Sequence, residues 1–160
     1  MDLIRRAARP MLASMFISGG IDALRNPKPE TEIAGDVATD IADAAPVDLP
    51  QDPETLVMID AGVKIAGGLL LASGGRLARI GAIACAASLV PTTWAGHRFW
   101  EIDDPQERAQ QQIHFLKNLG ILGGLLIAAA DTGGRPSIPW RAGHAAHGLK
   151  DKASDLLPVG

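Results

Sequence analysis

The 160-residue chain has one cysteine, Cys85, no tyrosine and only three Trp and three Phe. One cysteine excludes an internal disulfide, a CxxC redox pair and a cysteine-based zinc site. No HExxH pair is present to hold a metal and no GxSxG elbow to raise a serine nucleophile, so metal-dependent hydrolysis and serine catalysis have no local support. No metal ligand set is expected, because His97 and His114 are too far apart in sequence to form a recognised motif. Basic tracts are absent as well, and the formal net charge is −3, so nothing points to nucleic acid. Long uncharged runs are also scarce. The strictly uncharged windows are Pro10–Ile21, Ile65–Gly75, Ile80–Gly96 and Leu119–Ala130, and only the third approaches a membrane span by itself.

What is present is apolar character on every side of the predicted helices. The chain is 47% hydrophobic with 18 Gly. Four stretches, Leu3–Leu24, Glu54–Ser73, Leu77–Trp100 and Ala109–Asp131, are each near the ~20 residues that cross a ~30 Å hydrocarbon core. A helix of a soluble bundle carries a polar face every three to four residues. Ile65-Ala-Gly-Gly-Leu-Leu-Leu-Ala72 and Leu119-Gly-Ile-Leu-Gly-Gly-Leu-Leu-Ile-Ala-Ala-Ala130 have none. Four such helices in so short a chain cannot all bury one another, so lipid is the simpler solvent. The expectation is an all-α integral membrane four-helix bundle over residues 1–135, with a tail over 136–160. The basic start resembles a signal peptide, but its apolar part ends in Asp22-Ala-Leu-Arg25-Asn-Pro27 without a small-x-small cleavage site, so it reads as a retained helix. Gly120, Gly124 and Ala128 form one small-residue stripe and Ala78, Ala82 and Ala86 another, which suits close helix packing.

Charge placement sets the expected topology. Arg5, Arg6 and Arg9 mark the N-terminus, Arg76 and Arg79 the link between the second and third apolar stretches, and Arg135, Arg141, Lys150 and Lys152 the tail. The loop over 25–53 and its far edge carry Glu30, Glu32, Asp36, Asp40, Asp43, Asp48, Asp52 and Glu54, and the third link carries Glu101, Asp103, Asp104 and Glu107. The positive-inside rule then places both termini and the link between the second and third stretches in the cytoplasm and the two acidic segments outside. Within the first loop, Ile33, Val37 and Ile41 recur every four residues. Two readings stand: a short amphipathic helix on the outer membrane surface, or a solvated acidic linker.

Ionisable residues inside such helices cost roughly 2.5–3.5 kcal/mol each on insertion scales, so they need partners or a water-filled cavity. At about 1.5 Å per residue, Asp60 lies about 9 Å and Lys64 about 15 Å below the outer end of the second stretch. They are four apart and share a helix face. His114 lies about 7 Å deep on the last stretch, with Lys117 and Asn118 a turn further in. His97 and Arg98 close the third stretch, after Pro91-Thr92-Thr93. A proline there frees a backbone carbonyl and bends a helix. Asp60, Lys64, His97, Arg98, His114, Lys117 and Asn118 are therefore the candidate ligand-binding set, in a polar cavity of the outer leaflet. The alternative is a self-satisfied network that fixes helix register. Trp94 and Trp100 suit an interfacial belt, and Cys85, mid-helix among alanines, suits packing.

His97-Arg-Phe-Trp100, an acidic link, and then Gln112-Ile-His-Phe-Leu-Lys-Asn-Leu-Gly-Ile-Leu-Gly-Gly-Leu-Leu126 resemble the DoxX family. So do Arg9-Pro-Met-Leu-Ala-Ser-Met-Phe-Ile-Ser-Gly-Gly-Ile-Asp-Ala-Leu-Arg-Asn-Pro27 and Ala66-Gly-Gly-Leu-Leu-Leu-Ala-Ser-Gly74. The resemblance spans about residues 3–135, and the composition is similar to actinobacterial members. It implies a four-helix protein of the bacterial inner membrane. The family is named from a relative of the small subunit of a thiosulfate:quinone oxidoreductase, and some mycobacterial members associate with a membrane oxidoreductase complex that includes superoxide dismutase and a sulfurtransferase. No established catalytic residue comes with it.

Three functions follow as expectations. The first is a membrane subunit that anchors or supports a redox or stress-response complex, with the lipid bilayer and membrane-associated redox proteins as partners. The second is a subunit whose polar cavity binds a quinone, the one cofactor considered, or a small sulfur anion through Lys64, Lys117 and Arg98. The third is a small transporter, which requires a homo-oligomer because four helices of one chain enclose little space.

Overall fold

A computed structural model describes residues 2–46 and 48–132. The chain divides into two units, Met1–Ala130 and Asp131–Gly160. The first is all-helical among its described residues. It comprises α1 (Asp2–Arg25), α2 (Lys28–Ala44), α3 (Pro53–Ser73), α4 (Gly75–Gly96), a 3-10 turn over Phe99–Glu101, and α5 (Pro105–Ala130). The expected tail, with its histidines and basic residues, lies outside the described residues.

The helix count corrects the four expected from the sequence. The loop over 25–53 contains a helix of its own, α2, which settles the choice between an amphipathic helix and a linker. Its Ile33–Val37–Ile41 repeat puts one apolar stripe on one face, and the helix packs on α3 and α4. Two boundaries also start earlier than the apolar runs do. Asp52 caps α3, with Pro53 at its first position. The Asp104 side chain accepts from the backbone N–H groups of Gln106 and Glu107 at 3.0 and 2.8 Å, with Pro105 beginning α5. A carboxylate cap followed by proline is a standard helix start.

Helices α3, α4 with its 3-10 extension, and α5 are long and apolar enough to cross a membrane. Helix α1, with Arg5, Arg6 and Arg9 in its first half, is not among them. The packing is that of a membrane protein. Inside lie small residues: Ala13, Ala78, Ala82 and Cys85 are fully buried, with Phe16, Leu71 and Leu125 as the larger members. Outside lie Ile80, Ile83, Val90 and Trp94, all more than half exposed on α4. In water this arrangement forfeits the hydrophobic driving force. In lipid, where large aliphatic side chains lose nothing by facing outward, close approach of small residues is what holds helices together.

Antiparallel neighbours make up the bundle. Gly74 and Gly75, both at positive φ (82° and 64°), turn the chain between α3 and α4 in a backbone region that residues with a side chain rarely adopt. Just beyond, α4 crosses α3 so closely that a Cβ on Gly81 would meet the Gly67 carbonyl and the Leu70–Leu71 backbone. Helix α1 packs most extensively on α3, with its Gly20 against Ala61 and Lys64 and its Ala13–Ile17 segment against Gly68. Helix α5 runs along α4, tied near its end by Arg79 Nε donating to the Ala129 carbonyl at 2.7 Å. It is the outermost span: 6% of its apolar window is buried in the chain, against 33% for α3 and α4. Of the small-residue stripes, Ala78, Ala82 and Ala86 pack in or against the core. Gly124 approaches Leu12 of α1, whereas Gly120 faces nothing within 4 Å.

Candidate functional site

The polar residues singled out from the sequence gather at one end of the bundle, where α2 lies, but in two sets. No hydrogen bond or ion pair joins these sets among the described residues.

The first set belongs to α2 and α3. Lys64 is buried, and its Nζ lies 3.0 Å from Asp60 Oδ2, one turn away on the same helix, and 3.4 Å from Glu30 Oε2 of α2. Asp60 and Lys64 meet because i and i+4 share a face. Glu30 was not in the sequence-based set, because its approach depends on α2 being a helix docked on α3, with Gly35 against Pro53. Two carboxylates around one ammonium leave this set with a formal charge of −1.

The second set belongs to α4, the 3-10 turn and α5. His97 Nδ1 and Gln111 Oε1 are 2.7 Å apart. With Gln111 in this orientation its oxygen accepts, which places the His97 proton on Nδ1. The His97 and His114 rings stack at 5.4 Å between centroids and 20° between planes. Lys117 Nζ donates to His114 Nδ1 at 3.3 Å, a turn along α5. Asn118 Nδ2 donates to Thr93 Oγ1 at 3.0 Å across the α4–α5 interface. Arg98 donates from Nε to the Trp94 carbonyl at 3.1 Å, lies 3.7 Å from Glu101, and sits over the Trp94 ring at 5.8 Å. Beside these, Trp94, Phe99, Trp100 and Phe115 form a ring cluster with centroids 5.1–5.9 Å apart. Gln111 was missed from the sequence, although it falls one turn before Phe115 and close to His114 on the same helix.

Two cavities flank α4 at this level, both roofed by Val37 and Ile41 of α2. The larger, about 640 Å³, lies toward α5 and is lined by Leu89, Val90, Trp94, Phe115, Asn118 and Leu122 among others. The smaller, about 270 Å³, lies toward α3 and includes Glu30, Asp60, Ser88 and Thr92 in its lining. Asp60 and Asn118 are the two members of the expected set that face these spaces. Cys85 is fully buried beside Gly67, in the packing position its neighbours suggest. Among the described residues no three His, Cys, Asp or Glu side chains converge as a metal site would require.

A family model, DoxX, matches residues 5–98. The chain belongs to the DoxX family. The match spans α1 to the end of α4, so the Gln112–Leu126 run of α5 lies beyond it. No curated protein and no solved structure matches the chain. As a DoxX-family chain with three helices fit to cross a bilayer, it is a helical membrane protein.

Proposed function

We propose that this DoxX-family chain is a membrane subunit that supports a redox or stress-response complex, with its polar groups serving to hold helix register. The complex is what the family resemblance suggests, and one observation supports the structural role of the polar groups: each of the seven residues expected to form a binding site is already bonded within the chain. Asp60 and Lys64 pair with each other, His97 with Gln111, Arg98 with Trp94 and Glu101, His114 with Lys117, and Asn118 with Thr93. Three of these residues also bond across elements, His97 to Gln111, Asn118 to Thr93 and Lys64 to Glu30, and such bonds stabilise and align membrane helices.

The same reading sets the chain in the bilayer. Helix α1 runs antiparallel to α3 along most of its length, so it crosses with α3 as a fourth span although it is less apolar. Arg5, Arg6, Arg9, Arg76 and Arg79 then share one side, and the acidic α2 and the 101–107 link the other. The positive-inside rule places the arginines in the cytoplasm and α2 on the outer face of a bacterial inner membrane. Purification in native lipid nanodiscs followed by mass spectrometry tests the subunit role. A redox protein in stoichiometric amount is the expected result, and recovery of the bare chain alone refutes it.

The His97–His114 stack beside Lys117 favours a second reading, a quinone- or sulfur-anion-binding subunit. Here Lys117 supplies charge and the imidazoles supply hydrogen bonds and proton transfer. His97→Ala and Lys117→Ala then lose binding and keep the fold; loss of stability with no effect on binding defeats it.

A further inference from the structure

Ser88 breaks a rule the other helix serines obey. Ser14, Ser18 and Ser73 each donate to the carbonyl three residues back, at 2.7–3.2 Å. This is the usual resort of a hydroxyl on a helix. Ser88 is 4% exposed, and among the described residues its Oγ has no hydrogen-bond partner. A buried hydroxyl left unpaired costs about 1–3 kcal/mol, so a molecule that enters the space beside it gains by bonding to it. Ser88 lines the 270 Å³ cavity between α2, α3 and α4.

The rest of that cavity defines what the partner is. Its walls are aliphatic, with Val37, Leu56, Val57 and Val63 prominent. Its polar groups are mostly acceptors. Asp60 and Glu30 line it and each holds Lys64 through one oxygen, leaving the other oxygen to accept. Ala87 lines it too, and Pro91, four residues on, has no N–H to give the Ala87 carbonyl. The α3–α4 crossing at Gly67 and Gly81 sets the two helices in register so that Ser88 is level with the Asp60–Lys64 turn. Hydroxyl and carboxylates thus face one small volume with net negative charge. At roughly 30 Å³ per water-sized volume, the cavity of about 270 Å³ admits about nine non-hydrogen atoms.

We infer that this cavity binds a small amphiphilic cation, an alkyl- or arylalkylammonium whose N–H groups donate to Asp60, Glu30 and Ser88 while its apolar body fills the space beneath α2. The site is separate from the His97–Asn118 set, and its charge preference is opposite to that of a quinone or anion site.

The full chain in zwitterionic-lipid nanodiscs, titrated calorimetrically with 2-phenylethylammonium and its uncharged counterpart 2-phenylethanol, tests this, with empty nanodiscs as the blank. Saturable one-to-one binding of the ammonium, at least tenfold tighter than the alcohol, is expected. Ser88→Leu fills the cavity and should abolish binding. Glu30→Gln, which keeps the shape of a side chain that is 38% exposed, should weaken it at least fivefold. The inference is overturned if the alcohol binds as well as the ammonium, if a folded Ser88→Leu variant or the Glu30→Gln variant binds like wild type, or if uptake matches the blank.

Discussion

Replacing Gly81 with alanine tests the α3–α4 crossing, which fixes the level of Ser88 against the Asp60–Lys64 turn. A methyl group at Gly81 meets the Gly67 carbonyl oxygen and the Leu71 and Leu70 backbone. None of these is the end of a flexible side chain, so α3 must move as a body, and with it the contacts of Leu71, Ala82 and Cys85. Alanine recovers about 0.8–1 kcal/mol of helix preference over glycine. Overpacking costs about 1–3 kcal/mol, and backbone obstruction puts this case at the upper end. The net expectation is a loss of about 1–2 kcal/mol. Gly62→Ala is the control, because a Cβ there has nothing within 4 Å and the same helix preference should raise stability by about 0.4–1 kcal/mol. Reversible unfolding in mixed micelles with increasing SDS fraction measures both. If Gly81→Ala is as stable as wild type while Gly62→Ala behaves as expected, the helices do not cross as closely as described.

Three further outcomes follow from the same geometry. Lys64→Met leaves Asp60 and Glu30 facing each other without a cation. The loss should be about 1–3 kcal/mol, below the ~3–5 of a fully buried pair because the two carboxylates keep 29% and 38% exposure; adding Asp60→Leu should restore part of it, as measured in the same micelle titration. Thr93→Val and Asn118→Leu, alone and together, should show a coupling of about 0.6 kcal/mol and no more than ~1.7, the range of hydrogen bonds between membrane helices. Asp52 accepts from both the N–H and the hydroxyl of Thr55, at 2.8 and 2.6 Å, which holds its carboxyl below the usual 3.8. A lowered folded pKa means that the cap stabilises α3 at pH above 3.8 and fails as pH falls through the folded value. Amide exchange at Thr55 should therefore stay slow at neutral pH and speed up in acid relative to Asp52→Asn, whose amide caps without titrating.

Much of this architecture was legible because its signals are local. The apolar stretches needed only composition, and the Asp60–Lys64 pair only a spacing of four. The early starts of α3 and α5 were legible too, in Asp52-Pro53 and Asp104-Pro105, but apolar character begins later than the cap and so hid them. What the sequence did not disclose depends on docking. Glu30 reaches Lys64 only because α2 folds back onto α3, and an acidic segment with one apolar stripe reads equally well as a solvated linker. The division of the seven residues into two sets was likewise hidden, because depth along a helix says nothing about direction around it.

That direction is decided on α4. Ser88 and Thr92, four apart, face α3 and the smaller cavity; Leu89 and Thr93, also four apart and one position on, face α5 and the larger one. Successive residues of a helix are turned by about 100°, so a single step along the chain separates the two environments. Ala87 and Pro91 border both. Proline at this point cannot donate to Ala87, and the threonines after it divide the work: Thr92 turns back to the Ser88 and Leu89 carbonyls of its own helix, while Thr93 accepts from Asn118 of α5. With the Ser88 carbonyl engaged by Thr92 and the Ser88 hydroxyl unpaired among the described residues, the α3-facing side retains a free hydroxyl, whereas on the α5-facing side the Thr93 hydroxyl is engaged by Asn118. The acidic set on α2 and α3 therefore borders a space with a group left to bond, whereas the histidine set is tied into an interface. Substitutions in the first set should accordingly act on ligand affinity as well as on stability, and substitutions at the Thr93–Asn118 contact chiefly on helix association.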